Sequence, residues 1–174
     1  VDAHHTAADQ FVGWISKIQQ HAPIGKIRLT GGEPTLYPQL PQLVRALSQT
    51  TDAELSMTTN GHRLQTLAAP LRTAGLSAVN ISLDAMDEAV FRSMGGRGYR
   101  QVLAGITEAR RAGLHVRINT TLVREMNDSQ ILPLLRFARG EGVVIRFLEL
   151  MQMGHLQRSH RSQLVAAEDI LAEV

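Results

Sequence analysis

Five short polar words stand at intervals along the chain, each closing an apolar run: Thr30-Gly31-Gly32-Glu33-Pro34, Thr58-Thr59-Asn60-Gly61, Ser82-Leu83-Asp84, Asn119-Thr120-Thr121 and Glu149-Leu150-Met151. Together they offer carboxylates, hydroxyls, side-chain amides and bare glycine backbone, a mixture suited to hydrogen-bonding a polar small molecule. Gly31 and Gly32 would let the main chain approach a ligand and expose its N–H and C=O groups, while Glu33 can accept from an ammonium. Pro34 stiffens the exit. Taken alone, a Gly-Gly at a strand end is also an ordinary tight turn, and a single methionine such as Met151 is also core filler.

These words can form one site only if the segments between them bring them together. Phe11, Val12, Ile15 and Ile18 recur at helical spacing over Thr6 to His21, with Thr6 the expected N-cap. Lys26 to Thr30 reads as a strand, and Leu40, Leu43, Val44 and Leu47 mark a helix. The unit then repeats. Strand Glu54 to Thr58 leads through an Asn60-Gly61 turn to a helix carrying Leu64, Leu67 and Leu71 and ending at Gly75. Strand Ala78 to Leu83 precedes helical stretches over Ala89 to Met94 and Gln101 to Ala112, the second closed by Gly113. Strand His115 to Val123 precedes a helix capped by Asp128, with Pro133 tolerated in its first turns, and strand Val143 to Leu150 follows. A short helix over Ala166 to Val174 ends the series.

Strands alternating with helices imply right-handed parallel crossovers, hence an α/β domain built as an open doubly wound sheet or as an arc of a barrel. The polarity of the strands separates the two. Alternation puts Arg28 and Thr30 on one face, and likewise Ser56 with Thr58, Asn80 with Ser82, and Arg117 with Asn119 and Thr121. Parallel strands covered on both faces should be almost wholly apolar. Half-polar strands favour a partial (β/α) barrel of parallel strands around a wet cavity, over residues about 6–154 of a single domain spanning residues 1–174. The competing reading packs some of these side chains against a covering helix. In either fold, ligands gather at the C-terminal ends of the strands, where the five words lie.

Composition narrows the function. Charged residues make up 20% of the 174 and the net charge is +2, without blocks of Lys or Arg. Aromatic residues are only 4%. No basic arm or stacking platform for nucleic acid is present, so no nucleic-acid partner is expected. No apolar run approaches the roughly 20 residues of a membrane span, and no signal-peptide pattern opens the chain, so a soluble protein is expected. There is no cysteine, which removes disulfides, thiolate nucleophiles and thiolate-held clusters from these residues. The seven histidines lack the spacing of a known metal site, so no metal ligand is expected; His4 and His5 fall in a polar lead-in.

In order and spacing, Ile27-Arg28-Leu29-Thr30-Gly31-Gly32-Glu33-Pro34, Thr58-Thr59-Asn60-Gly61, Val79-Asn80-Ile81-Ser82-Leu83-Asp84 and Arg146-Phe147-Leu148-Glu149-Leu150-Met151 resemble the radical S-adenosylmethionine GTP 3′,8-cyclase family of molybdenum cofactor biosynthesis. The resemblance runs from about Thr6 to Gly154. The Gly-Gly-Glu-Pro word is common to many radical S-adenosylmethionine enzymes, and the Thr-Thr-Asn-Gly and Arg-Phe-Leu-Glu-Leu-Met words narrow it to the cyclases. The resemblance implies that Gly32, with Gly31 and Glu33 beside it, meets the methionine end of S-adenosylmethionine, Ser82 its polar groups and Met151 its adenine region. Arg28, Thr58 and Arg117 fall where the family binds GTP, and Asn119 shares the Arg117 face and would assist either ligand. Guanidinium forks bind phosphate oxygens bidentately, which suits a triphosphate. The family usually has lysine where Arg117 stands.

The family's [4Fe–4S] clusters need thiolates, which would lie before the Thr6 helix and beyond Val174. The expectation is therefore the core of a longer cytoplasmic lyase, inactive by itself and with no catalytic residue of its own, rather than a natural cysteine-free descendant. An edge strand left open by a missing neighbour would invite a homodimer. Two alternatives remain at this level: another radical S-adenosylmethionine enzyme acting on a peptide or small molecule, and a nucleotide-binding module without catalysis.

Overall fold

The computed structural model describes residues 7–150 and 163–173. Met151, the adenine-region residue of the sequence reading, lies outside them, as do Thr6, His4 and His5. Five strands alternate with helices, two of which stand between the third and fourth strands. Helix α1 (Ala8–Gln19) leads to β1 (Lys26–Leu29), α2 (Leu40–Thr50) to β2 (Glu54–Thr59), and α3 (Leu64–Ala74) to β3 (Ala78–Ser82). Helices α4 (Glu88–Ser93) and α5 (Tyr99–Arg111) precede β4 (His115–Thr121), α6 (Ile131–Glu141) precedes β5 (Val144–Leu148), and α7 (Ala167–Glu173) comes last.

All five strands are parallel, in the order β1-β2-β3-β4-β5, so each crossover places the next strand beside the last. That consecutive order is the arc of a barrel. A doubly wound sheet reverses direction partway.

Local chemistry explains where the helices start and stop. Asp87 caps α4 by accepting from the Ala89 and Val90 N–H groups at 2.8 and 2.9 Å. Gly75 ends α3 at φ 111°, where a Cβ would meet the Ser48 Cβ at 2.6 Å. Two expected caps differ. The N-cap of α1 is Ala7, with no side-chain cap bond. Asp128 opens a 3-10 turn over Asp128–Gln130 and accepts from the Glu125 and Ser129 N–H groups, so α6 begins three residues later at Ile131. An Asp side chain can serve a neighbouring turn as readily as a helix, and the tertiary path of the chain selects between them.

Strand parity divides the sheet into two faces. Leu55, Met57, Val79, Ile81, Val116 and Ile118 lie on one, buried in a core with Leu43, Val44 and Leu47 of α2, Leu64 and Leu71 of α3, Ile106 of α5 and Leu134 of α6. Burying such a face supplies the main favourable term in folding. Leu122, Ile131 and Val165 form a small satellite cluster that anchors the segment before α7. The other face is polar. Among the described residues, no helix is long and apolar enough to cross a membrane.

Candidate functional site

The polar face is organised in cross-strand rows. At its base Lys26 pairs in register with Glu54, and their side chains meet at 3.0 Å. The Lys26 hydrogen bond holds the Glu54 carboxyl below its ordinary range; Arg117 and His115 add to this electrostatically, against a partial opposing effect of desolvation. Above them Arg28 aligns with Ser56, then Thr58 with Asn80 and Arg117, then Ser82 with Asn119 and Arg146. Arg28 is exposed and Arg117 half-buried. Among the described residues neither guanidinium has a hydrogen bond or an ion pair, so both keep their donors for something else.

At the C-terminal end of β1 the chain leaves the sheet through Thr30, Gly31 and Gly32. Gly31 has φ 141°, which excludes ordinary side chains, and a Cβ on either glycine would meet no atom within 4 Å. The backbone there is open to an approaching ligand. Glu33 is committed elsewhere: its Oε1 accepts from the Thr35 N–H at 3.1 Å and from the Thr35 and Thr59 hydroxyls at 2.6 Å, and its Oε2 accepts from the Asn60 N–H at 2.8 Å. Burial raises the Glu33 pKa, and these hydrogen bonds outweigh it and hold the carboxyl below its ordinary value. The residue read as an acceptor for a ligand ammonium is thus first a brace between two strand-end loops.

Asp84 plays a comparable part between β3 and β4. Its Oδ1 accepts from the Thr121 N–H at 2.9 Å, while burial pushes its carboxyl above the ordinary value. Asp84 and Ser82 open onto a cleft of about 430 Å³ shared with Asn60, His62, Phe91 and Arg97. The His62 ring contacts the Arg97 carbonyl, drawing the glycine-rich turn after α4 over this cleft. Neither His62 nor Arg97 was a sequence candidate, because 35 residues separate them. Asn127, fully buried, was also missed; it ties Asp84 to the end of β4.

Two amide oxygens of the polar face, Asn80 Oδ1 and Asn119 Oδ1, are buried without a hydrogen-bond partner. Unpaired buried acceptors are uncommon, and a water or a ligand donor is what completes them. Asn119 was a sequence candidate because it shares the face of Arg117, two residues before it. Asn80 had been placed on the polar face with no role, although it lies two residues before Ser82 on the same side. Of the sequence candidates, the structure gathers Arg28, Thr58, Arg117, Ser82 and Asn119 on one face and sets Gly31, Gly32 and Glu33 at its rim.

Comparison with known proteins gives a consistent picture. Residues 2–138 match the model of the Radical SAM superfamily. The chain is 47% identical over 135 residues to the GTP 3′,8-cyclase of Xanthomonas campestris pv. campestris strain B100, covering 75% of this chain and 40% of that protein. It is 40% identical over 157 residues to the GTP 3′,8-cyclase of Acidothermus cellulolyticus, covering 88% and 43%. It therefore spans about two fifths of the length of these curated relatives. Among solved structures, Streptococcus suis SuiB bound to S-adenosylmethionine superposes with a TM-score of 0.72 over 87% of this chain and 36% of that one, at 18% identity. Escherichia coli coproporphyrinogen III oxidase, a radical SAM enzyme, gives 0.65 over 95% and 44%, also at 18%. At that identity the structural matches establish the fold alone.

Proposed function

The chain belongs to the Radical SAM superfamily, and on that premise we propose that its polar face is the S-adenosylmethionine and GTP cradle of a GTP 3′,8-cyclase, the lyase that converts GTP to the cyclic pyranopterin precursor of molybdenum cofactor. The observation that carries the reading is the pair of unengaged guanidiniums, Arg28 and Arg117, on one face with the Thr58 hydroxyl. Two guanidinium forks suit the oxygens of a triphosphate, and the Thr58 hydroxyl, which both donates and accepts, suits the nucleoside end of the same ligand. The identity to named cyclases supports the choice of nucleotide.

The rim residues fit S-adenosylmethionine. The open backbone of Gly31 and Gly32 leaves room for the methionine end, exposed Ser82 can bond its polar groups, and the unpaired Asn119 Oδ1 asks for a donor such as a ribose hydroxyl. Glu33 holds the rim in shape through Thr35, Thr59 and Asn60. Met151 completes the adenine region by resemblance. Held by Gly31, Gly32, Ser82 and Asn119, S-adenosylmethionine would supply radical chemistry at the GTP ribose once a reduced [4Fe–4S] cluster is provided from outside these residues. No thiolate among these 174 residues can hold such a cluster, so the work of this segment is to bind, orient and shield the two ligands.

The same reading takes the chain as one domain of a cytoplasmic enzyme without nucleic-acid or membrane partners. Association as a homodimer belongs to the same proposal. Titration calorimetry with GTP and with S-adenosylhomocysteine, the stable product analogue, tests the proposal. Saturable binding of both is expected. A protein that binds S-adenosylhomocysteine but not GTP is a radical SAM protein of another specificity.

A further inference from the structure

We propose that Asn80 is a specificity-determining residue of this face, its side-chain amide meeting a hydroxyl or amino donor on the nucleoside part of the bound nucleotide. The inference rests on the nucleotide-cradle reading and extends it to a residue that reading does not use.

Seven polar residues are buried among the described ones: Thr35, Thr51, Ser56, Thr59, Asn80, Thr120 and Asn127. Six have side-chain hydrogen bonds within the protein. Thr35 and Thr59 donate to Glu33, Thr51 accepts from Gln19, Ser56 donates to the Ile27 carbonyl, Thr120 to the Leu83 carbonyl, and Asn127 serves three backbone groups. Asn80 is the exception, 2% exposed with its Oδ1 unpaired. An unpaired buried acceptor destabilises the fold that carries it. The strand does not require a polar group for its fold: Ala78, two residues earlier on the same face, is fully buried and apolar.

Placement says what the amide is for. Asn80 stands in register between Thr58 on β2 and Arg117 on β4. Adjacent strands lie about 4.8 Å apart, so a ligand reaching from Thr58 to Arg117 spans roughly 10 Å and crosses Asn80. Ionised phosphate oxygens only accept hydrogen bonds and cannot satisfy Oδ1. The part of the ligand above Asn80 must carry an O–H or N–H, as a ribose hydroxyl or a base amino group does. A bare polyphosphate has neither.

The test compares wild type with Asn80→Leu in the full chain, reading the thermal midpoint together with affinities for GTP, inorganic tripolyphosphate and S-adenosylhomocysteine. Leucine has similar bulk and removes the unpaired amide, so the ligand-free variant should melt no lower than wild type. Its GTP affinity should fall about tenfold, the scale of one hydrogen bond lost to a ligand, with tripolyphosphate affinity unchanged. The inference is overturned if GTP binds the variant as it binds wild type, or if GTP and tripolyphosphate lose affinity in the same ratio. Should leucine lower the midpoint, Asn80→Ala carries the same comparison. Failure of wild type to bind GTP would remove the cyclase reading instead. Asn80 is then judged on S-adenosylhomocysteine: a loss in the variant keeps it as a nucleoside contact, and unchanged affinity overturns it.

Discussion

The Glu33 carboxylate accepts a 2.6 Å hydrogen bond from the Thr59 hydroxyl, joining the loop after β1 to the end of β2 across 26 residues of sequence. Thr59 lies on the helix-covered side of its strand, where a free hydroxyl would be costly, and Glu33 lies in a glycine-rich loop that its bonds to Thr35, Thr59 and Asn60 hold in place. Each residue answers the other's need. Replacing Glu33 with Gln turns one acceptor into a donor facing the Asn60 N–H or the Thr hydroxyls. Urea denaturation should show Glu33→Gln less stable by about 1–2 kcal/mol, and Glu33→Ala by about 2–4 kcal/mol because several donors lose their partner.

The two strand-end carboxylates respond to acid in opposite senses. Burial tends to raise the Glu33 pKa, but its hydrogen bonds bring the folded value below the ordinary 4.5, so its stabilisation is fully present above that value and is lost as pH falls through the folded one. Burial holds Asp84 above its ordinary 3.8 despite the Thr121 N–H. Ionised Asp84 thus costs the fold stability at neutral pH, and the cost disappears as pH falls through its folded value. Thermal melts between about pH 3 and 7 should show a flattened acid limb for Glu33→Gln. Asp84→Asn, which still accepts from Thr121, should raise the midpoint at neutral pH, with the gain vanishing towards the acid end.

Asn127 is a structural hub. Its Nδ2 donates to the Asp84 and Thr121 carbonyls at 2.8 and 2.9 Å, and its Oδ1 accepts from the Val123 N–H at 2.8 Å. Asn127→Leu strands three backbone groups in a fully buried place. A loss of about 3 kcal/mol is expected in chemical denaturation, well above the usual effect of a single substitution.

Gly105 lies within α5, where alanine would ordinarily favour the helix by about 1 kcal/mol. Here a Cβ would stand 2.4 Å from the Gly61 carbonyl oxygen and 3.2 Å from the Leu64 Cβ. The obstacle is backbone, which cannot rotate away. Gly105→Ala should therefore destabilise the protein by about 1–3 kcal/mol, the reverse of its propensity, as a shift in thermal midpoint would show.

Arg117 bears no hydrogen bond or ion pair among the described residues, and its electrostatic tie to Glu54 is secondary to the Lys26 hydrogen bond, so its loss should change stability little. Arg117→Ala should weaken GTP binding about tenfold to a hundredfold at a nearly unchanged melting temperature, the range of a charge-assisted hydrogen bond. Arg117→Lys keeps the charge and loses the fork, and calorimetry should place it between the two.

Alternating strands and helices, the α/β class and the half-polar strands that make up one face were legible from residue order alone. Periods of 2 and 3.6 are local, and the apolar set of each strand, such as Val79 and Ile81, announces which side meets the helices. The ordered words at the strand ends were legible too, because a parallel arc delivers every strand end to the same rim. Pairings between those words were not. Nothing near Glu33 in sequence announces Thr59 and Asn60, nothing near His62 announces Arg97, and Asp128 looked like a helix cap until the fold used it for a turn. The difference between Asn127, which satisfies three groups, and Asn80, which satisfies none, is invisible in the chain because both side chains carry the same amide donors and acceptor. Hydrogen bonding is directional and short-ranged, so its partners are settled only when distant segments arrive within about 3 Å of each other. Hydrophobic patterning needs no such arrival, and that is why the fold could be read early and the working parts of its polar face could not.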